Sequence, residues 1–335
     1  MTESMTIDRL RQQGYAYYEG YLSFFNHKKR QKRRSAAKSL TKGDYEKRAL
    51  QCWEKVLQHE RRPEDILLYA RIQHARMGGS TRPRDLTWEQ LYGWYDEAVA
   101  LWDRHGRQGQ EKEYMQACCG LCRCGLATYA ASSALASEAS LLFHPKSAVF
   151  GDAASRRRWQ RMRQCMEQVQ ALENLPVTLA EGQAVPDRRR FLYSGDVYFL
   201  LGQVYDCGAR LALTGQVRKT LQLAERYYRF ACEIDWQRRR RKAGVSGFSY
   251  MYGALLSLYL YVRREDAFYR TWDRYHGVVD FSPAFRTLWQ TRWLIVKGEY
   301  DAAERGLQLQ EGTAEFPERR IQALRQLISR LRRRQ

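Results

Sequence analysis

The chain has 335 residues, enough for one large domain or two ordinary ones, and 44% of them are hydrophobic, which excludes a disordered charged tail. Its formal charge is +20, and only 12 of its 57 basic residues are lysine. Arginine's rigid five-donor fork suits phosphate oxygens and flat rings, so this balance points to a polyanionic partner.

No apolar run approaches the roughly 20 residues that cross a bilayer, and MTESMTIDRLRQQG lacks the features of a secretory leader. A cytoplasmic location is the expectation, no membrane partner is expected, and the eight cysteines are read as reduced thiols.

Taken in order, almost every segment has a helical period. IDRLRQQGYAYYEGYLSFF sets Leu10, Tyr17, Tyr21 and Phe24 or Phe25 along one stripe. A basic arm follows at 27–34, with Lys28, Lys29, Arg30, Lys32, Arg33 and Arg34, expected as a mobile loop. YEKRALQCWEKVLQHE, EDILLYARIQHARM and TWEQLYGWYDEAVALWDRHG are the next three helices. The long segment beginning EKEYMQACCGLCRCG carries Cys118, Cys119, Cys122 and Cys124. Zinc needs about four converging ligands, usually as two spaced pairs, and no second pair exists. The stripe Met115, Cys118 or Cys119, Cys122, Leu126 and Tyr129 predicts core packing instead, and no metal or cofactor is expected.

SRRRWQRMRQCMEQVQALENL then runs to a prolonged break, PVTLAEGQAVPD. This divides the chain into an N-terminal helical region at 1–175, a linker at 176–190 and a C-terminal helical region at 191–335. FLYSGDVYFLLGQVYDCGARLALTG, QVRKTLQLAERYYRFACEIDW and FSYMYGALLSLYLYVRREDAFYRTWDRYHG follow, with three further helices. β patterns are essentially absent. The fold class is all-α, roughly a dozen helices stacked as antiparallel hairpins.

The helices also resemble one another. Ala49 precedes Trp53, Ala98 precedes Trp102, and Ala303 precedes Leu307, each by four residues. Leu201-Gly202 stands before Tyr205, and Ala224 is followed by Tyr228 and Ala231. These residues resemble the tetratricopeptide repeat, whose first helix carries Leu-Gly-x-x-Tyr and whose second carries Ala-x-x-x-Phe-x-x-Ala. The gap between Gly202 and Ala224 is longer than that repeat allows, and Trp236 stands where its closing proline would fall. An irregular helical bundle is the alternative. The resemblance implies an α-solenoid scaffold that binds protein, peptide or, less often, nucleic acid, and it implies no reaction.

The six histidines form no metal-ligand spacing, Gly78-Gly79 lacks the Lys-Ser/Thr ending of a phosphate loop, and no nucleophile motif is present. No catalytic residue is therefore assigned. The basic runs carry the functional reading. Arg156, Arg157, Arg158 and Arg188, Arg189, Arg190 each follow a turn signal, and both sets are expected in first helical turns, where the dipole disfavours cations. Arg156, Trp159 and Arg163 are expected on one arginine–aromatic face, with Met162, Met166 and Val169 buried. Arg238, Arg239, Arg240, Arg241 and Lys242 are expected in an exposed loop after a helix ending near Trp236. The C-terminal run from Arg330 to Arg334 reads as a helix cap.

Together these residues predict a non-enzymatic scaffold that binds RNA or single-stranded DNA electrostatically, inside a larger assembly with a protein partner. The alternatives are a tetratricopeptide-like adaptor for a protein or peptide, and an enzyme or accessory factor acting on nucleic acid, for example in a bacterial defence system.

Overall fold

The computed structural model describes residues 3–25, 41–77, 83, 85–131, 152–180, 183–187, 190–241, 249–276, 283–310 and 318–333. Among them are 13 α-helices and no strand. They are α1 (Glu3–Leu22), α2 (Lys42–His59), α3 (Pro63–Met77), α4 (Trp88–His105) and α5 (Glu111–Ala131). Next come α6 (Ala153–Leu172), α7 (Ser194–Arg210), α8 (Val217–Arg241) and α9 (Ser249–Tyr261). The last four are α10 (Glu265–His276), α11 (Pro283–Lys297), α12 (Tyr300–Gln308) and α13 (Glu318–Arg332). The fold is all-α, built of stacked helical hairpins, as the periodicity predicts.

Local chemistry sets the helix boundaries. Thr41 with Asp44 and Thr87 with Gln90 form reciprocal capping boxes at the starts of α2 and α4. Four helices in the second half end alike, with one residue at positive φ and two closing hydrogen bonds. At α6 the residue is Asn174 (φ 52°), and the amides of Asn174 and Leu175 donate to the carbonyls of Ala171 and Gln170. Ala212, Arg263 and Gly298 repeat the arrangement after α7, α9 and α11. This Schellman geometry satisfies the orphan carbonyls and reverses the chain within a few residues, which makes adjacent helices antiparallel neighbours.

The chain forms two compact units, Met1–Cys124 and Gly125–Gln335, with the division falling inside α5. The irregular residues 176–180 and 183–187 lie within the second unit. In the first unit α1 packs on α2, α2 on α3 and α3 on α4. Arg11 of α1 ties them together: its Nε donates to Asp65 of α3 at 2.8 Å, and its other nitrogens reach Asp8 and Glu60. The aromatic and alanine positions of the repeat-like pattern, Ala49, Trp53, Ala98 and Trp102, are all buried.

All eight cysteines are free thiols and buried. Cys118, Cys119, Cys122 and Cys124 lie in the packed part of α5 with Met115 and Tyr114. Burial pushes the Cys124 thiol up to about 12, far from the depressed range of a reactive cysteine. Among the described residues no group of three or more His, Cys, Asp or Glu is placed to hold a metal ion, and no helix is long and apolar enough to cross a membrane.

In the second unit α7 is the central helix. Fourteen of its 17 residues are buried, because α6, α8 and α9 all pack against it. A small residue at Gly202 allows a close approach to α8. A Cβ there would come within 2.5 Å of the Tyr228 ring on α8, so the Leu-Gly motif and the Ala-x-x-x-Tyr motif meet across one interface. Beyond α9, the chain continues through α10, α11, α12 and α13, each resting on an earlier neighbour.

Candidate nucleic-acid interface

The basic residues of the second unit separate according to helix geometry. α8 does not stop at Trp236. It continues through Arg238, Arg239, Arg240 and Arg241, which form its last turn. The loop expected there is therefore helix, and the physical reason is the macrodipole: cations stabilise a helix C-terminus by about 0.3–1 kcal/mol each. Lys242 lies outside the described residues.

A helical run of four arginines cannot face one way, since successive residues turn by about 100°. Arg239 points inward. Its Nε donates to Asp235 at 2.8 Å, only 8% of its side chain is exposed, and its guanidinium lies 5.8 Å from the Tyr252 ring centre of α9. Tyr252 donates to the same Asp235 carboxylate at 3.0 Å, which ties the start of α9 to the end of α8. Arg239, expected to contact phosphate, is a buried structural group.

Its neighbours face the other way. Arg238 lies over the Tyr193 ring at 5.0 Å, and Arg240 over Trp236 at 4.8 Å. Arg274, near the end of α10, covers Trp236 at 5.3 Å and donates to Glu233 at 2.7 Å. Burial pushes the Tyr193 phenol up to about 12, with Arg238 opposing the shift.

Arg190 reaches the same end by a different route. Glu173, 2% exposed at the end of α6, accepts the backbone amides of Arg190, Phe191 and Leu192 at 2.7, 3.0 and 2.6 Å. Three amide donors on one carboxylate fix the segment that leads into α7. Arg190 precedes the helix rather than opening it, and its guanidinium lies 5.0 Å from the Phe191 ring centre. Arg188 and Arg189 lie outside the described residues.

Arg190, Arg238, Arg240 and Arg241 thus gather where α7 begins and α8 ends. No described carboxylate lies within ion-pair range of any of the four. Arg190, Arg240 and Arg241 are exposed and Arg238 is partly so.

The α6 cluster lies elsewhere. Asp152 caps α6, accepting from the amide and hydroxyl of Ser155, and these bonds hold its carboxyl below the usual range. Arg156, Arg157 and Arg158 consequently follow the first turn instead of occupying it. Trp159 is not on an outward face. It is 3% exposed, its indole nitrogen donates to the Val204 carbonyl at 2.8 Å, and a Cβ on Gly208 would come within 2.2 Å of its ring. Its period-matched neighbours Met162, Met166 and Val169 bury it with them. Arg163 sits 5.4 Å from that indole and 3.5 Å from Glu167, and Arg158 lies 5.9 Å from the Tyr129 ring centre. Only Arg156 and Arg157 of this cluster are exposed.

The two groups are not one surface. Trp159 abuts Val204 near the end of α7, whereas Glu173 holds the segment before its start. At 1.5 Å per residue along α6, Trp159 and Glu173 stand roughly 21 Å apart. The arm from Lys28 to Arg34 lies outside the described residues. In the C-terminal run, Arg332 pairs with Asp301 at 2.5 Å and Glu304 at 3.0 Å.

Tyr193, Trp236 and Arg274 belong to the arginine end although basic runs alone did not mark them. Tyr193 and Trp236 flank Arg190 and Arg238 closely in sequence, so their signal was legible. Arg274 is joined only by tertiary packing. No family model, curated protein or solved structure matches this chain, so the site rests on its own geometry.

Proposed function

We propose that this chain is a non-enzymatic, tetratricopeptide-like scaffold that binds RNA or single-stranded DNA at the arginine end of its second unit. The observation that carries the reading is the set Arg190, Arg238, Arg240 and Arg241: clustered, outward and without a described carboxylate in range. The interior arginines Arg210 and Arg239 of the same unit each have a carboxylate, so this difference is local. Guanidinium groups resting on rings keep their donors in a fixed plane and are suited to phosphate oxygens. The repeat-like reading is supported by the contact of Gly202 with Tyr228.

Four phosphate contacts on a single strand correspond to a log–log salt slope of about −3, or roughly a 50-fold fall in affinity between 50 and 200 mM salt. Titration of a labelled oligonucleotide at the two concentrations measures this. Salt-independent binding, or none, overturns the reading.

One observation favours a peptide-binding scaffold as the second reading. An open cavity of about 500 Å³ lies against the end of α6, lined by Leu175, Pro176, Leu179 and Pro186 with the amides of Gln170 and Asn174. Such a lining suits an apolar side chain of a peptide and offers phosphate no cation. A peptide with an apolar side chain that binds the chain without displacing the oligonucleotide would favour this second reading.

A further inference from the structure

Arg274 stands outside every basic run, and its setting repeats one found ten residues earlier. Just before α10, Arg264 donates to Glu225 of α8 at 2.7 Å and lies 5.8 Å from the Tyr259 ring centre, and the Tyr259 hydroxyl donates to the same carboxylate at 3.1 Å. Near the end of α10, Arg274 donates to Glu233 of α8 at 2.7 Å and lies 5.7 Å from the Tyr275 ring centre. The Tyr275 hydroxyl donates to that carboxylate at 3.4 Å. Exposure matches as well, at 51 and 55% for the two arginine side chains and 17 and 18% for the two carboxylates. Each pair bridges α8 to α10, and because both helices advance from the first pair to the second, they run in the same sense along one seam.

One contact separates the two sites. Arg274 also reaches the Trp236 ring at 5.3 Å, where Arg240 lies at 4.8 Å. The two guanidinium carbons are therefore no further apart than the sum of these distances, a gap that neighbouring phosphates of one strand can span. At the matched site, Arg229 acts on Tyr259 by its charge, and the described ring contact is with Arg264 itself.

Two cations held around one ring repel, and the repulsion is stronger beside a partly buried indole, where water screens them less. Glu233 offsets one of the two charges. Its oxygens accept from Arg274, Tyr275 and Gln237, and these bonds fix where the Arg274 guanidinium sits. Excess positive charge is thus concentrated where α8 ends beside α10, on two exposed guanidinium groups from different helices. An anion lying against both removes the repulsion, and the planar forks suit phosphate oxygens.

We propose that Arg274 is a fifth phosphate-binding residue of the arginine end, so that a bound single strand crosses the seam from the end of α8 onto α10 beside Trp236. This inference rests on the nucleic-acid reading above. It adds a residue from a helix without a basic run and gives the strand a direction across the surface.

The test is binding of labelled oligo-dT by the full chain over a salt series, with Arg264 as the matched control. A fifth contact steepens the log–log slope of the unsubstituted protein from about −3 to about −3.5. Arg274→Gln returns it to about −3, so the fall in affinity between 50 and 200 mM salt drops from roughly 130-fold to roughly 50-fold. Arg274→Lys keeps the steeper slope. Arg264→Gln breaks an ion pair of the same length and exposure and leaves the slope unchanged. Thermal melting of both glutamine variants sets a working temperature below their transitions, so that lost stability is not counted as lost binding. A slope unaltered by Arg274→Gln, or altered as much by Arg264→Gln, overturns the proposal and leaves the other four arginines as the site. A lysine variant that behaves as the glutamine variant does also overturns it, since packing on Trp236 then accounts for the effect. Failure of the unsubstituted protein to bind the probe overturns both proposals.

Discussion

Arg210 and Arg239 stand four residues after an aspartate on successive helices, and the two sites are built alike up to a point. On α7, Arg210 bonds Asp206 at 2.7 Å, and Tyr228 from the next helix donates to that carboxylate at 3.4 Å. On α8, Arg239 bonds Asp235, and Tyr252 from the next helix plays the same part. Arg210, however, is central: it reaches Ser257 of α9 at 3.3 Å and lies 4.4 Å from the Tyr261 ring centre. Arg239 sits in the last turn of its helix, its Nη2 is buried without a hydrogen-bond partner, and Arg240 beside it is exposed. The role of each arginine is set by its angular position and depth, not by membership of a basic run.

The largest effect should come from the deeper pair. Arg210→Ala leaves Asp206 buried without its cation and should destabilise the fold by about 3–5 kcal/mol. Chemical denaturation with a two-probe check for cooperativity measures it. A loss under 1 kcal/mol would mean that Tyr228 suffices to hold the carboxylate, and the contrast between the two sites would disappear.

Arg239→Gln should cost about 1.5–3 kcal/mol, the value of a charge-assisted bond near a helix end. Its effect on oligonucleotide affinity should be small once the folded fraction is accounted for. A stable variant that loses binding would reverse the assignment of Arg239 to the interior.

Much of this is legible in the sequence. The helical period marked nearly every element, and the pairing of small residues with aromatics predicted contacts such as Gly202 with Tyr228. Trp159 shows where emphasis misled: its spacing to Met162, Met166 and Val169 already placed it on the buried stripe, but flanking arginines suggested an outward face. Asp235, four residues before Arg239, was likewise a legible sign that one member of the run would turn inward. The end of α8 was harder, because Trp236 occupies the place where a repeat would close, and only the capping effect of the arginines carries the helix past it. The tether from Glu173 to Arg190 and the approach of Arg274 to Trp236 join residues 17 and 38 positions apart, and no local pattern encodes them.

The smallest stability effects, and the sharpest functional contrast, lie at the surface. Replacing Arg238, Arg240 and Arg241 with glutamine should cost about 0.3–1 kcal/mol per site, the value of a cation at a helix C-terminus. The same change should reduce the single-strand salt slope by about 2, from the loss of three phosphate contacts. Arg332→Gln breaks exposed pairs with Asp301 and Glu304, so it should cost about 0–1 kcal/mol and leave the slope unchanged. Measured side by side over a salt series, the two sets separate cations that face a partner from cations that answer their own chain. If the Arg332 variant shifts the slope as much as the triple variant does, binding follows total charge, and the arrangement of Arg190, Arg238, Arg240 and Arg241 at the end of α8 has no special part in it.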